Sequence, residues 1–408
     1  MPKAIVITID QLGARYLSPY GNTWNPTPGF DQLAATSLTM EFCLSSSTDL
    51  DQCMTSMLSG KHPLATSTHV SLLQQLQKDG QSSVLIQEGD SLSSIPICQQ
   101  FSEVHSVPFT KAGNLASSIE DTSIAQFTGL TLDLIEQQLN HDLIWIHHAG
   151  LGASWDAPMQ SRERYFGEED PEIKEISLPP FGPLNDPDDP DEIMQNVHAY
   201  AAQVSVLDTC LGLLIEQLKE EVSGLDEQVL LIVTAPRCLP LGHHGGVGVD
   251  HSLPGTDQLH VPMFLSRLDN SASVGLSRNT SLCQTESVYS TLSQWFEQPD
   301  SNNPYAHQSL LDHLQIPGTP YAALSEQCTV SIFPNGSTAI HTPAWFSVQS
   351  TAGQTQLWVK PDDRWESNQI GSRRQDIVAE FESLFERSTQ IATEPISLAE
   401  SLQKQLLR

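Results

Sequence analysis

Lys3-Ala4-Ile5-Val6-Ile7-Thr8-Ile9-Asp10-Gln11-Leu12 opens the chain with an almost unbroken apolar, β-branched run that ends in a carboxylate. A strand without polar alternation is buried on both faces, as a central strand of a mostly parallel sheet must be. Ser83 to Ile86, Leu143 to His147 and Val229 to Thr234 read the same way. Between the last two, Tyr200, Val204, Leu207, Leu211, Leu214, Ile215 and Leu218 fall on one face of a helix over Val197 to Glu221. Asn25-Pro26-Thr27-Pro28, followed by Phe30, Leu33 and Ala34, gives a shorter helix. Strands alternating with helices predict an α/β fold, a mostly parallel sheet sandwiched by helices.

Two segments interrupt the alternation. Glu168 to Glu192 is rich in Pro, Asp and Glu and lacks EF-hand spacing, so it reads as a solvated excursion rather than a calcium loop. Around Asp300 to Gly318 the pattern loosens. Beyond it, Thr338 to Ile340, Trp345 to Val348 and Gln356 to Lys360 read as strands and Gln375 to Phe385 as a helix. The expected organisation is therefore a large α/β domain over 1–318 and a small C-terminal α+β domain over 319–408.

The 408 residues suffice for a large core. The 49 acidic against 19 basic residues give a formal charge of −30, which argues against nucleic acid and anionic membranes as partners. The expected partner is a small molecule or a protein. No signal peptide and no membrane span are read. Seven cysteines, odd in number and without a C-x-x-C pair, fit free thiols in a reducing compartment, and the location expected is the cytoplasm.

Several landmarks in order resemble the sulfatase family of the alkaline phosphatase superfamily. Ile7 to Leu12 resembles its first strand and D-D pair. Tyr20-Gly21-Asn22 resembles Y-G-N, and Thr27 to Ala34 resembles T-P-N-L-D-x-L-A. The helix carrying Tyr200, Val204, Asp208, Gly212 and Leu214 resembles Y-x-x-x-I-x-x-x-D-x-x-x-G-x-L. Leu241 to Gly245 resembles L-G-E-H-G, Leu259 to Met263 resembles L-R-V-P-L, and Ile340 to Trp345 resembles I-R-T-P-x-W. Leu357 to Glu366 resembles the L-Y-x-x-x-D-x-x-E that follows.

The resemblance implies a divalent cation held by hard oxygen ligands, a formylglycine nucleophile and cationic groups around the sulfuryl oxygens. The positions that should carry them depart. In Asp49 to Pro63, which has the frame of the family's nucleophile loop, the nucleophile position is Leu50 and the Arg position is Met54. The first metal pair reads Asp10-Gln11 and the second Pro236-Arg237. The run that should supply a Lys and a His reads Gln87-Glu88-Gly89-Asp90, and the P-H-x-P histidine falls on Gly152. A later Lys falls at Val249 or near His251.

Asp10 is read as the cap of a turn, with a surviving metal ligand as the alternative. Cys53 is read as a small buried hydrophobe rather than a displaced nucleophile. His243, His244, Asp250 and His251, with Asp10, offer an alternative zinc site. Arg237 is expected to fill the metal position as counter-ion to Asp10, Asp49, Asp51, Glu88 and Asp90. The function expected is a sulfatase-like protein that has lost sulfuric ester hydrolysis and binds a ligand or partner without a cofactor. Its alternative is an active sulfate or phosphate ester hydrolase with a rebuilt calcium or zinc site.

Overall fold

The computed structural model describes residues 2–403 apart from 67–69, 110–112, 187–188, 225–226, 269–275, 299–308, 315–327 and 394–397. The boundary expected at 318/319 lies outside the described residues, as does most of the loosened segment before it. The main sheet is built from β1 (Lys3–Ile9), β2 (Leu38–Leu44), β3 (Ser83–Glu88), β4 (Glu103–Val107) and β5 (Leu143–His148). A two-residue β6 (Gly182–Pro183) pairs with β8 (Gly246–Val247) away from that sheet. β7 (Val229–Thr234), β9 (His260–Val261), β10 (Met263–Arg267) and β11 (Ser277–Gln284) complete the main sheet. Its order is β11-β2-β10-β7-β1-β5-β3-β4, with β9 on β2. β1 pairs in parallel with both β5 and β7, so the opening strand is central. The sheet is mixed: β10 runs antiparallel to β7 and β2.

The helices that flank it are α1 (Pro28–Ala35), α2 (Leu50–Ser59), α3 (Leu72–Lys78), α4 (Ser123–Gln138), α5 (Met159–Glu163), α6 (Pro190–Val222) and α7 (Ser287–Trp295). α1, α4 and α5 pack on α6, whereas α2 and α3 pack on α7. The contact of α1 with α6 is unusually close. A Cβ on Gly29 would lie 2.4 Å from the backbone oxygen of Asp208, so only glycine fits there. In return Asp208 accepts from the Gly29 and Phe30 amides at 3.0 and 2.8 Å, capping α1 from another helix.

α6 is longer than its apolar period suggested. Asp189 caps it, Pro190 starts it and Asp191 and Glu192 fill its first turn, so the end of the acidic excursion is a helix start. This helix is long and apolar enough to cross a membrane by length and composition, contrary to expectation, but most of its apolar window is buried in the core.

The C-terminal unit is an antiparallel sheet of β12 (Thr329–Ile332), β13 (Thr338–His341), β14 (Trp345–Gln349) and β15 (Thr355–Val359), with α8 (Gln375–Glu386). Val330, Ile340, Trp345, Leu357, Ile377 and Phe381 form its own core against α8. Phe333, Phe346 and Trp358 pack instead with Leu44, Leu259 and Leu282 of the main domain.

Candidate functional site

Ligands of parallel α/β sheets collect where strands end at their carboxyl edge. Asp10 follows β1 at once, and Pro236-Arg237 follows β7, its neighbour. The Arg237 guanidinium faces Asp10 as a fork: Nε donates to Oδ1 and Nη2 to Oδ2, each at 2.9 Å. Nη1 donates to the carbonyl of Thr48 at 3.0 Å, which ties the pair to the loop before α2. Asp10 is 4% exposed and the Arg237 side chain 18%, so the carboxylate is buried and the guanidinium keeps one edge toward solvent. Burial acts to lower the Arg237 pKa, but the Asp10 carboxylate beside it outweighs that and holds it above the ordinary arginine value.

The loop before α2 is held by its own hydroxyls. Ser45 Oγ donates to the carbonyls of Ser47 or Pro236, each at 2.6 Å, and Asp49 caps α2 through the Gln52 amide. Leu50, at the nucleophile position, is the first residue of α2 and packs against the main core. Met54, at the Arg position, is wholly buried there. Cys53 donates to the Ser47 carbonyl at 3.1 Å, and burial pushes its thiol up to about 12, so at neutral pH it is a thiol and no nucleophile.

Gln11 has φ 64°, and the Tyr200 hydroxyl fixes its turn by donating to the Gln11 carbonyl at 2.8 Å. Its amide covers Gly152: a Cβ there would lie 2.1 Å from Gln11 Oε1. A histidine at 152 would therefore require the Gln11 side chain to swing away. Gln11 Oε1, Thr48 Oγ1 and His147 Nε2 are buried without a hydrogen-bond partner. Burial drops the His147 imidazole to about 4, so it is neutral. A cavity of about 260 Å³ lies beside Gln11 and Arg237, and Asp250 and His251 also line it.

Two expectations are corrected. Glu88 and Asp90 do not gather on Arg237. Glu88, 2% exposed, lies 2.9 Å from His148 Nδ1 and accepts from the Ala149 amide, whereas exposed Asp90 accepts from Ser93 and Ser106. Asp51 is exposed and accepts from Thr55, and Asp49 adds its field to Arg237 from the cap of α2. Nor do the histidines converge with Asp10. His243 stacks on Trp365 at 5.4 Å, and His244 Nε2 lies 3.4 Å from Glu366, leaving only His251 beside the strand-end cavity. The glycine-rich loop turns His243 and His244 toward the C-terminal unit, while Gly248 to His251 line the strand-end cavity. Among the described residues no group of three His, Cys, Asp or Glu side chains is placed to hold a metal.

A divalent cation, which the resemblance implies, does not fit the residues present. Both Asp10 oxygens are engaged by a guanidinium, Pro236 has no side-chain ligand atom, and the Gln11 amide is turned onto Gly152. Sequence reasoning missed the Glu88–His148 contact, the Tyr200–Gln11 clamp and the pairing of Glu366 with Lys360 and His244. The family-like helix and the last motif held the signal for the latter two, through Tyr200 and Glu366.

The family model described as Sulfatase matches residues 2–298. A search of curated protein sequences returned no match. Among solved structures, the phosphonate monoester hydrolase of Agrobacterium radiobacter is similar at TM-score 0.74 and 14% identity, covering 96% of each chain. The phosphonate monoester hydrolase from Silicibacter pomeroyi is similar at TM-score 0.72 and 13% identity, over 99% of this chain and 100% of that one. The putative sulfatase from Bacteroides fragilis is similar at TM-score 0.66 and 14% identity, over 97% and 96%.

Proposed function

We propose, from the premise that this chain belongs to the sulfatase family, that it does not hydrolyse sulfuric esters and acts by binding a small molecule or a protein. The observation that carries this reading is the Arg237 fork on both oxygens of Asp10. A guanidinium there supplies the positive charge that Asp10 needs and takes the lone pairs a hard cation would use. The side chain at the nucleophile position, Leu50, has no group that attacks sulfur or phosphorus. Cys53, in the same helix, has its thiol pushed up to about 12 by burial and stays protonated.

The rival reading, an ester hydrolase with a rebuilt metal site, is supported by Asp250 and His251 lining the same cavity as Gln11. Calorimetry with calcium and with zinc, beside turnover of an aryl sulfate and an aryl phosphonate monoester, separates the two. The expected result is no specific heat and no turnover above background. Metal binding lost in Asp10→Asn, or turnover lost in His251→Ala, would establish the hydrolase and end the proposal.

A further inference from the structure

A second cavity, of about 580 Å³, lies in the seam where β2 and β11 meet the C-terminal sheet. It shares no lining residue with the strand-end cavity, so nothing about it depends on whether hydrolysis is lost. Arg15, Arg278, Lys360 and Arg364 line it, with Glu41 as the one carboxylate. In a chain with 19 basic and 49 acidic residues that concentration of positive charge is a local reversal of field.

Two of the four cations have partners. Arg278 donates to Glu41 at 2.8 Å, and Lys360 pairs with Glu366. Glu366 lies behind the cavity, also touching His244 and Thr256, and buried Asp257 stands on the same side. The other two have no carboxylate at ion-pair distance among the described residues. Arg364 donates to the Tyr20 carbonyl at 3.3 Å. Arg15, 6% exposed, reaches only Thr256 Oγ1 at 3.5 Å and lies over the Trp365 ring at 4.6 Å. Its Nη1 is buried with no hydrogen-bond partner, as is Nδ1 of His341, a residue 7% exposed in the same lining.

A buried guanidinium nitrogen without an acceptor costs free energy that an oxyanion would recover. Phe42, Leu44, Leu282 and Pro343 add apolar lining. The volume falls within the range of small-molecule sites. We propose that this seam binds a small molecule with an apolar, ring-sized body and a terminal oxyanion, the oxyanion on Arg15 and Arg364 and the body against Phe42 and Leu282. In the tautomer that carries its proton on Nδ1, His341 completes the donor set from the C-terminal sheet, so a bound molecule bridges the two units.

Calorimetry on the full chain with phenylphosphonate, inorganic phosphate and benzyl alcohol tests it. Phenylphosphonate should bind more tightly than about 1 mM, about tenfold more tightly than inorganic phosphate, and benzyl alcohol should give no heat. Arg15→Gln should weaken phenylphosphonate by about tenfold or more and exposed Arg364→Gln by severalfold, with Arg374→Gln, remote from the cavity, unchanged. If circular dichroism shows Arg15→Gln unfolded, Arg364→Gln carries the comparison. Benzyl alcohol binding as well as phenylphosphonate, no phenylphosphonate binding, or an affinity indifferent to Arg364→Gln would overturn the proposal.

Discussion

The contact of α1 with α6 and the carboxyl ends of β1 and β7 both lie on the pattern of the sulfatase family, and they treat it oppositely. At the helix contact Asp208 and Gly212 stand where the pattern asks, and Gly29 takes the place of its asparagine. Each meets backbone: Asp208 accepts from two amides, and a Cβ added at Gly29 or Gly212 would lie 2.4 Å from the Asp208 oxygen or 3.8 Å from the Gly29 Cα. At the strand ends Gln11, Leu50, Met54, Pro236 and Arg237 all depart. The difference teaches that positions serving the fold and positions serving a ligand are separable here. A residue that satisfies buried backbone has no substitute, whereas a side chain that would touch only a ligand is free to change, provided its charge is balanced.

The strongest test of that separation is Arg237→Ala. Removing one member of a buried pair leaves the Asp10 carboxylate uncompensated, and a loss of about 3–5 kcal/mol is expected from urea midpoints. Arg237→Met with Asp10→Leu should recover most of it, since an apolar pair carries no unpaired charge. A neutral Arg237→Ala would show that the strand ends contribute nothing to the fold, which would sharpen the contrast with the helix contact.

Asp208→Ala comes next. It leaves the Gly29 and Phe30 amides without their acceptor, and a loss of about 2 kcal/mol is expected in the same assay. A loss much smaller than that of Arg237→Met with Asp10→Leu would break the comparison, because the family-like position would then matter less than the divergent one.

His147 gives a smaller effect that depends on pH. Burial takes its folded pKa to about 4, below the value near 6.5 of an unfolded chain. The unfolded state therefore binds more protons between those values, so this residue's contribution is complete at neutral pH and is lost as pH falls from about 6.5 toward 4. His147→Asn should remove about 1.5 kcal/mol from the stability lost between about pH 7 and pH 5. A pH slope unchanged by the substitution would place the titrating groups elsewhere, His260 and His341 of the seam being the next to examine.

The central strands were legible because a buried parallel strand has only one way to look, and Lys3–Ile9 looks that way. The small C-terminal sheet and α8 were legible from alternation and period, though β12 was not, since Thr329 to Ile332 is short and mixed. Asp189-Pro190-Asp191-Glu192 carried a full helix-start signal that the surrounding acid and proline obscured. The meeting of Arg237 with Asp10 was anticipated only because two motifs put both after neighbouring strands. Glu88 could not be placed in the same way. Its partner His148 is contributed by the adjacent strand, and side-chain direction at a strand end is decided by tertiary packing. The seam cavity was illegible for a like reason: Arg15, Arg278 and the Lys360/Arg364 pair come from three stretches far apart in the chain.

The smallest effect belongs to Leu50→Cys, expressed with a formylglycine-generating enzyme. If the strand ends had lost only their nucleophile, restoring a thiol at the right position would restore turnover of an aryl sulfate. Three further features stand in the way. Met54 buries an apolar side chain where the pattern has an arginine, Gln52 stands where it has a proline, and Arg237 holds the Asp10 oxygens. Leu50 is only partly buried at the first turn of α2, so its replacement should cost about 1 kcal/mol of packing and leave the fold intact. The expected outcome is a folded protein with no aryl sulfate turnover above background. Turnover from this one change would mean that Arg237 yields its place to a reacting ester, and the strand ends would then be a dormant site rather than a rebuilt structural one.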